Sequence, residues 1–235
     1  MSNWTLRRLW ALALLSLSLL ILWDASGLDL PLARWFGSAQ GFAWRGQPLF
    51  VLLLHEVPRF AGMALLVALL WGAVKPWGFL RQMVMAQRMQ LLLSILGGLL
   101  LVSILKRLSS TSCPWDLAEF GGVAQYVSHW LWGVRDGGPG HCFPAGHASA
   151  AFAYLAGWFA LRRVVPRVAG PWLLCTVLVG LVLGLSQQMR GAHYMSHTLW
   201  TAWICWAWGL AVDTAVQLRA RSAMGAVAGS NLNEA

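Results

Sequence analysis

Three clusters of polar residues stand where apolar stretches of the sequence end. They cover residues 106–116, 141–147 and 187–197. The clusters hold imidazoles, a lysine and arginines, but few carboxylates. Cations of these types suit an anionic group, most simply phosphate, because arginine binds it in a bidentate fashion and lysine binds it as a point charge. The clusters therefore predict chemistry on a phosphate group.

Two histidines could divide the work of phosphoryl transfer at such a site. One imidazole would attack phosphorus and the other would protonate the leaving oxygen. The turn from Pro144 to His147 stands at a predicted helix start, where backbone N–H groups point toward an anion. Gly146 has no side chain, so the backbone can approach a ligand closely there.

The elements that must position these clusters belong to a membrane protein. Of 235 residues, 58% are hydrophobic and only 11% are charged, and 16 are tryptophan; the mean hydropathy is +0.61. A soluble globular chain carries about 25% charged residues, and tryptophan concentrates at membrane interfaces. The composition therefore excludes a disordered protein, a coiled coil and an ordinary soluble enzyme.

Six apolar stretches predict an all-α fold, an integral membrane bundle of six transmembrane helices. They cover about residues 9–23, 60–74 (with an extension back to 49–54), 89–105, 148–161, 171–185 and 198–212. No linker or internal repeat separates them, so residues 1–221 are predicted to form a single transmembrane domain. The small and polar residues 222–235 are predicted to form a flexible tail.

Alternation of the spans places all three polar clusters on the outer side of the membrane. Arg7 and Arg8 precede the first stretch and predict a cytoplasmic N-terminus. The net charge of +9 follows from basic residues that flank spans, and no polybasic run or RNA-binding signature indicates a nucleic acid partner. Ionisable residues at membrane depth are costly and usually functional, so the outer face is the predicted site.

In order and spacing, the clusters resemble the motifs of the membrane-bound type-2 phosphatidic acid phosphatases, a superfamily shared with vanadium haloperoxidases. The family's first motif is Lys, six residues, then Arg-Pro; its second is Pro-Ser-Gly-His; its third is Ser-Arg, five residues, His, three residues, Asp. The matching residues are Lys106, Pro114, Gly146, His147, Ser186 and His193. The six-helix architecture of the family covers nearly the whole chain.

Four positions depart from the family pattern. Cys113 stands in place of arginine in the first motif, and Ala145 in place of serine in the second. In the third motif, Gln187 replaces arginine and His197 replaces aspartate. Arg190 could supply a missing guanidinium from a neighbouring helical position.

The resemblance implies a role for each matched residue. His193 would be the nucleophile that forms a phosphohistidine, and His147 would be the general acid and then the base that activates water. Lys106, Arg190 and Gly146 would hold phosphate oxygens. The scheme needs no metal and no other cofactor.

Two roles are left with alternatives. His197 would orient His193 in place of the missing carboxylate, since a neutral imidazole can accept a hydrogen bond, or a loop carboxylate would do so. The candidate loop carboxylates are Asp116, Glu119 and Asp136. Arg107 is either a second phosphate contact or an interfacial charge.

A further polar group stands at the outer end of the second stretch. It consists of His55, Glu56 and Arg59. Both an ion pair at the membrane boundary and a contact with a substrate headgroup are compatible with this sequence.

Two cysteines lie in outer loops beside the motifs. Because a bacterial periplasm permits thiol oxidation, we predict a disulfide between Cys113 and Cys142, which would tie the Lys106 loop to the His147 turn. The other two cysteines fall inside spans and are expected to be small core residues.

The sequence is therefore expected to encode a lipid phosphatase of a bacterial inner membrane, with its active site facing the periplasm. It would hydrolyse a lipid phosphate monoester or diphosphate. Its partners are this substrate and membrane lipids, and the sequence indicates no oligomeric state. The alternatives are a phosphotransferase that uses the same phosphohistidine, a degenerate lipid-phosphate binding protein, and a metal-dependent hydrolase.

The metal-dependent alternative rests on helical spacing. His193 and His197 stand at i and i+4, the spacing by which one helix face presents two metal ligands. The residues that would complete such a site are His141, His147 or Asp116.

Overall fold

The computed structural model describes the backbone of residues 5–233 and the side chains of residues 5–224. In chain order its helices are α1 (Leu6–Ser26), α2 (Asp29–Arg34), α3 (Pro48–Val51), α4 (Val57–Val74), α5 (Met85–Leu108), α6 (Ser149–Phe152), α7 (Gly157–Val164), α8 (Pro166–Met189) and α9 (Met195–Asn233). A small antiparallel hairpin consists of β1 (Gly37–Ser38) and β2 (Gly41–Phe42). A π turn covers Leu52–Glu56, and 3-10 turns cover Gly78–Gln82, Pro114–Asp116, Ala118–Phe120 and Ala153–Ala156.

Four segments of the described chain are long and apolar enough to cross a membrane. They are Leu6–Ser26, Pro48–Gln82, Met85–Leu108 and Pro166–Met189. They correspond to the first, second, third and fifth predicted stretches, so a mostly helical membrane protein is confirmed. The helical run at residues 149–164 and the helix α9 take the places of the fourth and sixth stretches. The count of six spans stays a prediction.

The helical run at residues 149–164 lies at the centre of the bundle. Every residue from 151 to 161 is buried, and α5, α8 and α9 all pack against this run. Small residues permit the close approach. A Cβ atom on Gly180 would come within 2.2 Å of the Phe152 ring, and a Cβ atom on Gly209 would come within 2.7 Å of the Ala156 Cα.

The three polar clusters meet at one end of the bundle. The Trp115 N–H donates to the Gly191 carbonyl at 2.9 Å, which joins the first cluster to the third. The Ala145 N–H donates to the His197 carbonyl at 3.1 Å, which joins the second cluster to the third. All three clusters therefore lie on one side of the bundle, as the alternation of the spans predicts.

The last helix continues into the predicted tail. α9 ends at Asn233, so residues 222–233 continue this helix, and residues 234–235 lie outside the described residues. The flexibility of the segment and the single-domain division at residue 221 stay predictions.

Candidate active site

A cavity of about 620 Å³ opens at the end of the bundle where the clusters meet. Residues from all three clusters line it: Lys106, Gly146, His147, Arg190 and His193. The structure thus places in one site the residues to which the sequence analysis gives the central roles.

Lys106 and Gly146 fit against each other at the cavity wall. Lys106 lies in the last turn of α5, and its Nζ donates a hydrogen bond to the His141 carbonyl at 2.6 Å. A Cβ atom on Gly146 would come within 3.0 Å of the Lys106 Cδ and within 3.3 Å of its Cε. Glycine therefore leaves the space that the lysine side chain occupies.

The His147 ring is held by a carbonyl that a proline sets free. In an α-helix the Leu54 carbonyl would accept the N–H of residue 58, but Pro58 has none, and the chain forms the π turn Leu52–Glu56 at this point. The His147 Nε2 lies 3.0 Å from the Leu54 carbonyl oxygen. Because a carbonyl oxygen only accepts, Nε2 carries the proton and donates it. Nδ1 is then the nitrogen of His147 that can accept a proton at the site.

His193 is buried at the inner wall of the cavity. Its Nδ1 lies 3.5 Å from the Cys142 Sγ, so Nε2 is the nitrogen left to face the cavity. Burial, and next the charge of Lys106, holds the pKa of His193 well below its ordinary value. The ring is therefore neutral at pH 7, which is the form that carries a nucleophilic lone pair.

Arg190 follows the last turn of α8 and lines the cavity. Its Nη1 donates to the Gln187 Oε1 at 3.0 Å, and its Nε donates to the Arg45 carbonyl at 3.3 Å. Gln187 stands where the third motif has arginine. Its side chain therefore holds the guanidinium of Arg190, three residues further along the chain. This geometry supports Arg190 as the substitute for the missing arginine.

The geometry of the site agrees with a comparison of the sequence with known protein families. The model of the PAP2 superfamily matches residues 87–221, which is more than half of the 235 residues. This chain belongs to the PAP2 superfamily. The resemblance to type-2 phosphatidic acid phosphatases is therefore confirmed. Membership in this superfamily indicates a phosphoric ester hydrolase as a broad class of enzyme. No curated protein and no solved structure matches the chain.

His197, which replaces the PAP2 aspartate, does not make the predicted contact with His193. The two rings lie 5.9 Å apart between centroids and meet edge-on. The His197 Nδ1 instead donates to the Cys142 carbonyl at 3.0 Å. The reason is that α9 begins only at Met195, so His193 precedes the helix and the i, i+4 relation does not bring the rings together. His197 holds the second motif's loop instead.

Arg107 is not one of the residues that line the cavity, although Lys106 beside it is. Its side chain is exposed at the end of α5. Successive residues of a helix do not face the same direction, so only one of the two can point into the site. Of its two predicted roles, the structure favours the interfacial charge.

None of the three predicted loop carboxylates lines the cavity. The Asp116 Oδ2 accepts the Cys113 N–H at 3.3 Å, Glu119 pairs with Arg34, and Asp136 accepts both the N–H and the hydroxyl of Ser112. These carboxylates therefore shape the outer loops. They do not contact His193 through any of these bonds.

Two further groups support the site: His55, from the polar group that the sequence analysis left with two readings, and Asp29, which the sequence analysis missed. His55 lines the cavity, and its ring is stacked on the His147 ring with centroids 4.4 Å apart. The buried Asp29 accepts the Ser196 N–H at 3.0 Å and also hydrogen-bonds the Ser196 hydroxyl. Asp29 thereby satisfies the N-terminus of α9 next to His193. No local motif marks Asp29, whereas the polar group at residues 55–59 was visible as a signal.

The predicted disulfide is present. Cys113 and Cys142 are bonded, with their Cα atoms 5.1 Å apart, and the bond ties the first motif's loop to the second. Within the described residues, these cysteines and His193 form the one set of three potential metal ligands whose atoms lie within 4.8 Å of one another. Both sulfurs are in the disulfide, so the set offers no thiolate. In the same described part of the chain, the metal-ligand set proposed around His193 and His197 is not assembled.

Removing the disulfide is expected to lower the stability of the protein. The bridge joins residues 29 apart, and closing a loop of that length stabilises a protein by about 3.5 kcal/mol in the chain-entropy model. Serine at both Cys113 and Cys142 should therefore lower the thermal unfolding midpoint measured in detergent. The control is Cys175→Ser, which alters an exposed free thiol. Equal midpoints for the double variant and the control would contradict this expectation.

Proposed function

We propose that this protein is a membrane lipid phosphatase that acts through a phosphohistidine at the outer membrane–water interface, without a metal. Its substrate would be a lipid phosphate monoester or diphosphate. The observation that carries the proposal is the cavity in which His193, whose burial favours the neutral ring, lies with Lys106 and Arg190. A nucleophile and two cations around one space fit a transferring phosphoryl group.

The cavity wall also supports a lipid substrate. Between α4 and α5 the wall is apolar, with Met63, Leu66 and Leu99. Met63 is 49% exposed on a segment long enough to span the membrane. A substrate could therefore keep its acyl or prenyl chain in the bilayer while its phosphate reaches Lys106.

In the first half of the reaction, the His193 Nε2 attacks phosphorus. A nitrogen–phosphorus bond forms as the bond to the leaving oxygen breaks. Lys106 and Arg190 stabilise the charge on the phosphoryl oxygens. The leaving oxygen needs a proton, which the resemblance assigns to His147.

In the second half, water attacks the phosphohistidine and inorganic phosphate leaves. The proton of the water passes to the His147 Nδ1, because the Leu54 carbonyl holds Nε2. This proposal places the site on the periplasmic face of a bacterial inner membrane. The disulfide beside His193 supports that location, because such bonds persist in oxidising compartments.

Phosphate release from a panel of lipids tests the function. The panel is phosphatidic acid, phosphatidylglycerophosphate, undecaprenyl diphosphate and lipid A phosphates, each with and without EDTA. We expect release from at least one lipid, unchanged by EDTA. Release that EDTA abolishes would support the metal-dependent hydrolase. Transfer to an added lipid or sugar acceptor in place of release would support the phosphotransferase, and binding without either reaction would support a degenerate binding protein.

A further inference from the structure

Two histidines, not one, lie together at the wall of the cavity. The His55 and His147 rings are stacked at 4.4 Å between centroids with an interplanar angle of 18°, and both line the cavity. His55 comes from the second span and His147 from the second motif, so only the folded chain brings them together.

His147 is poorly placed to donate the first proton. Its Nε2–H is already donated to the Leu54 carbonyl, so any proton for the substrate must be on Nδ1. Burial, and next the positive charge of a protonated His55, lowers the pKa of His147 to about 4. At pH 7 the Nδ1 atom therefore carries a lone pair. It can accept a proton from water but has none to donate.

His55 has the opposite arrangement. Its Nδ1 lies 2.8 Å from the Glu56 Oε1, and an Arg59 Nη1 lies 3.9 Å from the Glu56 Oε2. A carboxylate on one ring nitrogen orients the imidazole and stabilises the imidazolium form when it arises. The His55 Nε2 is then the nitrogen left to carry a proton into the cavity.

We propose that this protein divides its two proton transfers between the stacked histidines. His55, oriented by Glu56, donates the proton to the leaving oxygen, and His147 accepts the proton of the attacking water. The inference rests on the proposed function and deepens it by assigning a catalytic residue outside the three motifs.

The protons balance over the cycle. In the first half, the His193 nitrogen–phosphorus bond forms, the bond from phosphorus to the leaving oxygen breaks, and that oxygen takes the Nε2 proton of His55. In the second half, the oxygen of water bonds to phosphorus, the nitrogen–phosphorus bond breaks, and the His147 Nδ1 takes a proton of the water. His147 then releases this proton to solvent, and His55 takes one from solvent.

The stack also separates the two tasks in time. Two imidazolium ions at this separation would repel each other, which disfavours both rings acting as acids in the same step. The charged or titratable groups that surround the pair are Glu56, Arg59, Lys106, Arg190 and His193. Glu56 supplies the negative charge among them.

The leaving group's acidity tests this division. A nitrophenol departs without a proton, whereas the alcohol of phosphatidic acid needs one. We therefore expect His55→Gln to slow phosphate release from dioleoyl phosphatidic acid by about 100-fold or more. Its effect on an alkyl-substituted nitrophenyl phosphate, measured by release of the nitrophenol, should be less than about tenfold. Glu56→Gln should show the same selectivity to a smaller degree.

Two comparisons keep the test decisive. Glu119→Gln alters an exposed carboxylate paired with Arg34 away from the cavity and should leave both substrates unaffected. His147→Gln should slow both reactions alike, since it acts in the second half. Equal losses on the two substrates in His55→Gln, or no loss on either, would overturn the proposal. If the wild-type protein released neither phosphate nor nitrophenol, the proposed function itself would fail instead.

Discussion

Replacing His193 with alanine is expected to lower phosphate release by about 10³-fold or more, because the variant lacks the atom that bonds to phosphorus. No acid-labile phosphoprotein should form when the variant is incubated with a radiolabelled lipid phosphate and quenched in alkali. A His147→Gln variant, in which His193 is intact, should accumulate such a species, since the second half of the reaction then slows. Phosphate release and trapped label, measured on the same samples, check both expectations.

The neighbouring Tyr194 supplies a matched control for this experiment. Its hydroxyl is buried with no hydrogen-bond partner in the described part of the chain, and it does not line the cavity. Tyr194→Phe should therefore keep the packing beside His193 and retain activity. Substantial release by His193→Ala, or label trapped on that variant, would show that another residue is the nucleophile.

The residues that share the cavity were predictable because their positions depend on order along the chain. Lys106, His147 and His193 each stand beside the end of an apolar stretch. Successive stretches cross in alternate directions, so these ends fall on one side. The motif spacing then selects which residues near each end carry the chemistry. The same reasoning placed Cys113 and Cys142 close enough for the disulfide that the structure contains.

Contacts that depend on the local path of the backbone were not predictable in this way. Each residue advances an α-helix by about 100°, so the π turn at Leu52–Glu56 changes the direction in which His55 points. The sequence shows the polar group there but not which side it faces. The spacing of His193 and His197 was misleading for a related reason, because it assumes a helix that already includes His193, whereas α9 begins two residues later, at Met195.

The packing of the bundle explains why hydropathy alone did not establish the number of spans. The central run at residues 149–164 is enclosed by other helices. A segment that faces protein does not need the length or the apolar surface of a lipid-facing helix. Hydropathy alone therefore describes the outer helices of this protein better than the central one.

The second large effect concerns the arginine of the third PAP2 motif, which this chain lacks. Arg190→Gln is expected to slow phosphate release by about 10²- to 10³-fold, since one donor to the developing charge on phosphate is lost. The Arg190 Nη1 bonds to the Gln187 Oε1 at 3.0 Å, so the two side chains occupy adjoining space. Exchanging them, in the double variant Gln187→Arg with Arg190→Gln, moves the guanidinium to the family position. We expect the exchange to recover at least about tenfold of the lost rate.

The exchange distinguishes two explanations for a loss of rate in Arg190→Gln. Either the site requires a guanidinium near the phosphate, or the fold requires Arg190 at its own position. Gln187→Arg alone serves as the control, because it adds a second guanidinium beside the first, which repels it, and should therefore not raise the rate above that of the unsubstituted protein. If Arg190 only supports the loop through the Arg45 carbonyl, the double variant should be as slow as Arg190→Gln, and its thermal unfolding midpoint should fall as well. Recovery of rate with an unchanged midpoint would instead mean that the site requires a guanidinium at the phosphate, and that Gln187 and Arg190 together replace the single arginine of the motif.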